Sequence, residues 1–254
     1  MDLELAERRF LVGGASRGLG AAVARALVSE GARVAGISRD PQQAAGAAPT
    51  GILPVRADLS NDRGPADAVS AAVEALGGLD GLVVNTGGPP GGSFATVDEA
   101  AWERAIAGTL QSTIRLIREA LPHLRAGVDP SIVVILSSSV REPIPALITS
   151  NVLRPGLVGL IKSLVTEIAP IRINGVAPGR FDTDRVRSLD EARAADSGTT
   201  LEEVQAQTRA RIPLGRYGDP DELGRVVAFL LSPAASYLDG VILPVDGGMI
   251  RSLP

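Results

Sequence analysis

Gly13-Gly14-Ala15-Ser16-Arg17-Gly18-Leu19-Gly20 is the stretch that decides how this chain is read. The apolar run Phe10-Leu11-Val12 precedes it. A small-residue pattern from Gly18 to Ser29 follows, with apolar residues at 19, 23, 26 and 27 on one helical stripe. Strand, glycine-rich turn and helix make the setting a phosphate-binding loop needs. Glycine lets the backbone turn tightly and approach an anion, and the unpaired N–H groups of a helix N-terminus favour negative charge. Gly14, Ser16, Arg17, Gly18, Leu19 and Gly20 are therefore the first candidate contacts of a bound nucleotide.

Working outward, short apolar runs alternate with helical patterns, as βαβ units in a parallel sheet do. Strands covered on both faces read as continuous apolar runs. The candidates are Phe10–Val12, Arg33–Ile37, Ile52–Arg56, Gly81–Val84, Ile132–Leu136, Arg172–Val176 and Val241–Pro244. Pro65–Leu76 opens a helix on a first-turn proline. Asp98 caps one long predicted helix through Trp102, Ile106, Ile114, Ile117 and Leu121. Asp219-Pro220-Asp221-Glu222 carries a capping-box signature ahead of Leu223–Leu231. Nothing in composition divides residues 1–254, so one domain is expected. Residues 180–212 are polar and of mixed charge; they read as a helical excursion over the sheet's carboxyl edge, where open α/β sheets place ligands.

Composition removes several functions. The chain is 45% hydrophobic, which is globular, and its net charge of −4 leaves no footprint for nucleic acid or an anionic membrane. With no cysteine, thiolate nucleophiles, disulfides and cysteine-based metal sites are excluded, and no metal is expected. No run approaches the ~20 apolar residues of a membrane span, and no secretory pattern opens the chain, so a cytoplasmic location is expected.

The other strand ends extend the nucleotide grip. The second run ends in Ser38-Arg39, where an acidic residue would accept from a ribose 2′-hydroxyl. Arg39, with Arg17 in the glycine loop, favours a 2′-phosphate instead, and hence NADP(H) over NAD(H). The competing reading of both arginines is as solvated surface residues. The third run leads to Asp58-Leu59 and the fourth to Asn85-Thr86-Gly87; alone, Asp58 reads as a helix cap and Asn85 as a turn. Gly87-Gly88-Pro89-Pro90-Gly91-Gly92 reads either as a rigid pocket wall or as a surface loop.

These stretches, together with Asn174-Gly175-Val176-Ala177-Pro178-Gly179 and Pro244-Val245-Asp246-Gly247-Gly248, resemble the short-chain dehydrogenase/reductase family, and its 3-oxoacyl-carrier-protein reductase-like branch in particular. The resemblance implies a Rossmann-type three-layer α/β/α sandwich with a seven-stranded parallel sheet, and a homotetramer or homodimer. It implies hydride transfer between a nicotinamide cofactor and a small carbonyl or alcohol. It also implies cofactor contacts from Pro178, Gly179 and Phe181. Gly13 stands where the family has Thr.

Such enzymes use a Tyr as proton donor, a Lys four residues on, a Ser that orients the substrate oxygen and an Asn on the preceding helix. A cation near a phenol pulls its pKa of ~10 toward neutrality. This chain cannot contain that pair. Its only lysine is Lys162, preceded four positions earlier by Val158, and the residues four after Tyr217 and Tyr237 are Asp221 and Val241. Matching the family's helix places Ser150 at the Tyr position, Arg154 at the Lys position, Ser137 (or Ser138) at the Ser and Thr109 at the Asn. Arg154 can still bond ribose hydroxyls. Pro155 either kinks this helix or begins it. Glu142, Asp182, Asp184 or a water on Ser137 are the candidate proton sources; His123 and Trp102 read as a surface and a packing residue. The expected function is NADPH-linked carbonyl reduction with an altered proton source. The alternative is a nucleotide-binding pseudoenzyme acting as a sensor or partner subunit.

Overall fold

Alternate side chains of a strand point to opposite faces, so a strand apolar at every position feeds two cores at once. That division organises the whole protein. In the computed structural model, which describes residues 2–40 and 51–252, Phe10 and Val12 enter one core while Leu11 enters the other. Val133 and Ile135 join the first, and Ile132 and Val134 the second.

The strands are β1 (Arg9–Val12), β2 (Arg33–Ser38), β3 (Ile52–Arg56), β4 (Gly81–Val84), β5 (Ser131–Ile135), β6 (Arg172–Pro178) and β7 (Ile242–Val245). All pair in parallel, in the order β3-β2-β1-β4-β5-β6-β7. The strand prolines, Pro54 and Pro244, sit in the two edge strands, β3 and β7, with Pro178 at the very end of β6. One face is covered by α1 (Gly18–Ser29) and α8 (Pro220–Leu231), which pack so closely that a Cβ on Gly224 would lie 2.6 Å from the Ala22 carbonyl oxygen. The other face carries α2 (Gly64–Leu76), α4 (Ser112–Leu124) and α5 (Ile148–Glu167). This is the Rossmann-type α/β/α arrangement.

Strand order reverses between β1 and β4, and open α/β sheets hold ligands at that crevice, beyond the carboxyl ends of their strands. The glycine loop sits there. Gly13 N–H donates to the Val83 carbonyl (2.9 Å) and Asn85 Nδ2 to the Gly13 carbonyl (3.2 Å).

One detail departs from the sequence expectations, and another decides between two of them. The single long helix after Asp98 is three pieces: α3 (Glu99–Ala105), a π-helical segment Ile106–Gln111, and α4. Asp98 caps α3 by accepting from Ala101 N (2.7 Å). Beyond it, the hydroxyls of Ser112 and Thr113 bond back to the carbonyls of Gly108 and Thr109, at 2.8 and 2.7 Å. Such back-bonding offers the wide turn extra partners. Pro155 neither begins nor ends a helix. It lies inside α5, where it leaves the Asn151 carbonyl without its usual donor.

Asp80 anchors the amino end of the sheet. Nearly fully buried, it accepts from Arg9 Nε (2.8 Å), Arg9 Nη2 (2.7 Å), Arg9 N (2.9 Å) and Val128 N (2.8 Å). Burial alone would raise its pKa; the bonds to Arg9 and Val128 outweigh it and hold the carboxyl below its ordinary value. A carboxylate with a depressed folded-state pKa stabilises above its unfolded pKa of ~3.9, and the stability is lost as pH falls. Asp80→Asn should cost about 3 kcal/mol at neutral pH by uncoupling Arg9. The deficit should shrink as pH falls below about 4, where Asp80 of the unfolded parent takes up a proton that the folded parent accepts only at lower pH. Urea titrations at several pH values measure both; a deficit constant across pH would refute the assignment.

Candidate active site

The nucleotide cradle is built by close backbone approach. Gly14 and Gly18 hold φ of +60° and +57°, in the left-handed region that favours glycine. A Cβ on Gly20 would lie 2.3 Å from the Gly14 carbonyl oxygen and 2.7 Å from Asn85 Nδ2, so α1 can start here only without a side chain. Gly13, the departure from the family pattern, has a local reason: a Cβ there would lie 2.8 Å from the Asn85 carbonyl oxygen. Arg17, exposed, is the residue before α1, and Ser16 and Leu19 are partly open. The cradle fits a dinucleotide pyrophosphate: open backbone amides at a helix N-terminus.

At the β2–β3 edge, a recess of about 420 Å³ is lined by Arg39, Arg56, Ala57, Asp58, Asn61, Gly64 and Asp67. Arg39 is exposed there, and Ser38 is buried with its carbonyl accepting from Ala57 N (3.0 Å). Asp58 accepts from Ser60 Oγ (2.7 Å) and Ser60 N (3.0 Å), which lowers its carboxyl pKa, with the field of Arg39 helping. Leu59 is buried. Arg56, which the sequence reading missed, adds a second cation to this rim. The signal was register: Arg56 lies opposite Ser38, one residue before Arg39.

The positions matched to the family's catalytic residues lie farther along the same edge. Arg154 projects from α5, fully buried, and donates to the Ile135 carbonyl (Nη1, 2.7 Å) and the Gly87 carbonyl (Nη2, 3.1 Å). It therefore bridges the ends of β5 and β4. Burial, and then the like charge of Arg185, pushes its pKa down to about 10, so it is a cation at neutral pH. Ser150, one turn earlier, is buried, and its hydroxyl is paired with the Ser139 hydroxyl at 3.0 Å. Ser139 was not singled out from sequence; only its place in a run of three serines hinted at it. Ser137 is half-buried and its Oγ accepts from Ser139 N (3.1 Å), which leaves its own O–H free to donate. Ser138 is buried. Thr109 is buried in the π-helical segment, so it marks the widened turn rather than an exposed face.

No phenol takes the missing position. Tyr217 donates to the buried carboxylate of Asp190 (2.6 Å), and burial and that carboxylate raise its pKa, opposite to what a proton donor at neutral pH requires. Tyr237 is fully exposed. Glu142, Asp182 and Asp184 are exposed, and Asp182 pairs loosely with Arg187 (3.8 Å). Among the described residues, no group of three or more His, Cys, Asp or Glu could hold a metal ion.

The glycine-proline stretch after β4 is a clamped wall. Its carbonyls accept in succession from Arg154 (Gly87), Arg185 (Pro89, 2.7 Å), Thr149 Oγ1 (Pro90, 2.7 Å) and Ile148 N (Gly92, 3.2 Å). Arg185 arrives from α6 (Asp184–Ser197), which follows β6 and precedes α7 (Leu201–Arg211); residues 180–212 are thus largely helical. Pro178 closes β6, and Gly179 N–H donates to the Val245 carbonyl (2.9 Å). The Phe181 ring is buried against Gly218, leaving mainly its backbone to face a ligand. Thr183, a further residue sequence missed, lies against the glycine loop, its methyl 3.7 Å from where a Gly18 Cβ would stand. Its cue was its place as the cap of α6.

Fold and cradle together define a Rossmann-type dinucleotide-binding protein. A family profile described as enoyl-(acyl carrier protein) reductase matches residues 14–250. The cis-4-hydroxycyclohexanecarboxylate dehydrogenase of Sinomonas cyclohexanicum is 35% identical, over 98% of this chain and 98% of its own. The 3-oxoacyl-[acyl-carrier-protein] reductase MabA of Mycobacterium tuberculosis is 31% identical, over 95% of this chain and 92% of its own. Among solved structures, L-sorbose reductase from Gluconobacter frateurii, complexed with NADPH and L-sorbose, matches with a TM-score of 0.91 at 25% identity, covering 100% of both chains. An NADPH-bound short-chain oxidoreductase from Pseudomonas aeruginosa PAO1, described as containing an atypical catalytic center, matches with a TM-score of 0.86 at 29% identity, covering 98% of this chain and 99% of its own. The chain belongs to the short-chain dehydrogenase/reductase family of oxidoreductases.

Proposed function

We propose that this protein is an NADP(H)-dependent reductase of a small carbonyl compound, or the corresponding alcohol dehydrogenase, working without a tyrosine. The observation that carries the reading is Arg154, a buried cation fixed to the ends of β4 and β5 with no carboxylate within ion-pair distance among the described residues. The cofactor supplies or accepts the hydride. Gly14, Ser16, Gly18, Leu19 and Gly20 hold its pyrophosphate, Asp58, Leu59, Asn85, Thr86 and Gly87 border its adenosine half, and Arg17 and Arg39 favour a 2′-phosphate. Arg154 holds the nicotinamide ribose and provides the positive field in which charge on a substrate oxygen develops. Ser137 donates to that oxygen, and water delivers the proton the absent phenol would have given. Ser150, tied to Ser139, holds the wall of the site.

Arg39→Ser should weaken NADPH binding about tenfold and leave NADH binding unchanged, since a charge-assisted contact to a phosphate is worth roughly 1.5–3 kcal/mol and this one is solvent-screened. Fluorescence titration with both nucleotides measures it; equal loss for the two would remove the 2′-phosphate assignment. The main reading is tested by following NADPH oxidation across a panel of ketones, aldehydes and oxo acids. NADPH binding without turnover on any of them would favour the second reading, a nucleotide-binding sensor or partner subunit. That reading is supported by the buried, already-paired hydroxyl of Ser150.

We further propose a cytoplasmic homo-oligomer of two or four chains. No described helix is long and apolar enough to cross a membrane. The outer side of α5 presents exposed Val152, Pro155, Gly156 and Gly159, a shallow face suited to another copy.

A further inference from the structure

Two guanidinium groups grip the same wall of the site from opposite elements, and neither has an anionic partner. Arg154 comes from α5 and bonds the Gly87 carbonyl; Arg185 comes from α6 and bonds the Pro89 carbonyl, two residues along. The Arg185 guanidinium lies across Gly88, its Nε 3.2 Å from where a Cβ would stand there. Every nearby acid on the same segment is committed elsewhere or points to solvent. Asp182 pairs with Arg187, Asp190 is buried with Arg180 (3.3 Å) and Tyr217, and Asp184 is exposed in the first turn of α6. Among the described residues, no carboxylate lies within ion-pair distance of Arg154 or Arg185.

Two like charges held beside one clamped turn repel, Arg154 buried at its base and Arg185 exposed at its rim. Burial lowers the pKa of Arg185, and its charge in turn adds to the lowering at Arg154. Such an arrangement becomes favourable when an anion enters. The cofactor phosphates are not that anion. They belong at the N-terminus of α1, which follows β1, whereas Arg154 and Arg185 bond the Gly87 and Pro89 carbonyls in the segment after β4. A planar fork with most of its donors unused is the group best matched to a carboxylate.

We infer that the substrate is an anion, a carboxylate-bearing carbonyl or alcohol compound, and that Arg185 is the residue that recognises its carboxylate. Resting on the reductase reading, the inference gives that site its substrate class. Arg154, deeper and fixed at both ends, adds field; Arg185, at the edge of the excursion, makes the contact.

Malonate and its neutral isostere malonamide, titrated calorimetrically into the full-length protein with and without saturating NADPH, test it. Malonate should bind at least about tenfold more tightly than malonamide. Arg185→Gln should remove that difference while leaving NADPH affinity unchanged, and Arg185→Lys should restore part of it. Arg187→Gln, a control on the same helix, should behave as the parent. Equal binding of the two probes, no malonate binding, an unaffected Arg185→Gln, or displacement of malonate by NADPH would each overturn the inference. Failure of NADPH to bind would instead strike the reductase reading, with the malonate difference still read on the free protein.

Discussion

Arg154→Met is expected to lower kcat/KM for carbonyl reduction by about 10²- to 10³-fold while leaving the folded state nearly as stable as the parent. The two halves of this result have separate causes. Stability is a near-cancellation. Removing a buried cation with no carboxylate beside it relieves a desolvation penalty of several kcal/mol, and an apolar side chain of similar length fills its place. Against it, the carbonyls of Ile135 and Gly87 lose their donor, at roughly 1–3 kcal/mol for each group left unsatisfied. Catalysis has no such compensation. Among the described residues, Ser150 is tied to Ser139, and Arg154 is the charged side chain bonded to the ends of both β4 and β5. Arg154→Lys keeps a cation but not the planar fork, and should fall between parent and Met. Urea denaturation beside steady-state kinetics separates the two effects. Parent-like kinetics in the Met variant would exclude Arg154 from the reaction, and unfolding of that variant would make it a structural residue.

The fold was legible because its strands are doubly buried. A run such as Ile132-Val133-Val134-Ile135 can only satisfy two cores at once, and its length and flanks separate it from a helix. The capping box at Asp219 and Glu222 was equally plain, with Asp219 N–H donating to Glu222 Oε2 at 2.8 Å. The cradle was legible too, since its constraint is backbone approach and glycine records that directly. What sequence could not show was partnership. Ser139 and Ser150 meet through a loop and a helix turn, and their spacing of eleven residues has no local meaning. Arg185 reaches Pro89 across 96 residues of chain. The clamped wall was undecidable for the same reason: its rigidity resides in donors supplied by Arg154, Arg185, Thr149 and Ile148, none of which neighbours it in sequence. The π-helical turn at Thr109 escaped because an apolar stripe at helical spacing does not register one extra residue.

Gly20→Ala should be the most damaging single methyl group in the molecule for nucleotide binding. The added Cβ would lie 2.3 Å from the Gly14 carbonyl oxygen, 2.7 Å from the Gly13 carbonyl oxygen and 2.7 Å from Asn85 Nδ2. Two of these are backbone atoms of the loop itself, and backbone cannot swing aside as a flexible side chain would. Either α1 moves off β1, or the loop opens. Movement of α1 is resisted by α8, since Gly224 already lets the two helices touch at Ala22. The loop therefore opens, and the bond from Asn85 to the Gly13 carbonyl breaks with it. Overpacking of this kind costs about 1–3 kcal/mol of stability. Nucleotide affinity should fall by more than about tenfold, because both the amides at the start of α1 and the turn at Asn85 lose their places together. Ser70→Ala, exposed in α2, is the control, because the site is open to solvent and a helix favours Ala over Ser. Thermal melts with and without NADPH distinguish the cases. The Gly20 variant should lose both intrinsic stability and the ligand-induced rise in Tm, while the Ser70 variant keeps the rise. A Gly20 variant that still shows the parent's NADPH-induced shift would mean that the cofactor is not held at this loop.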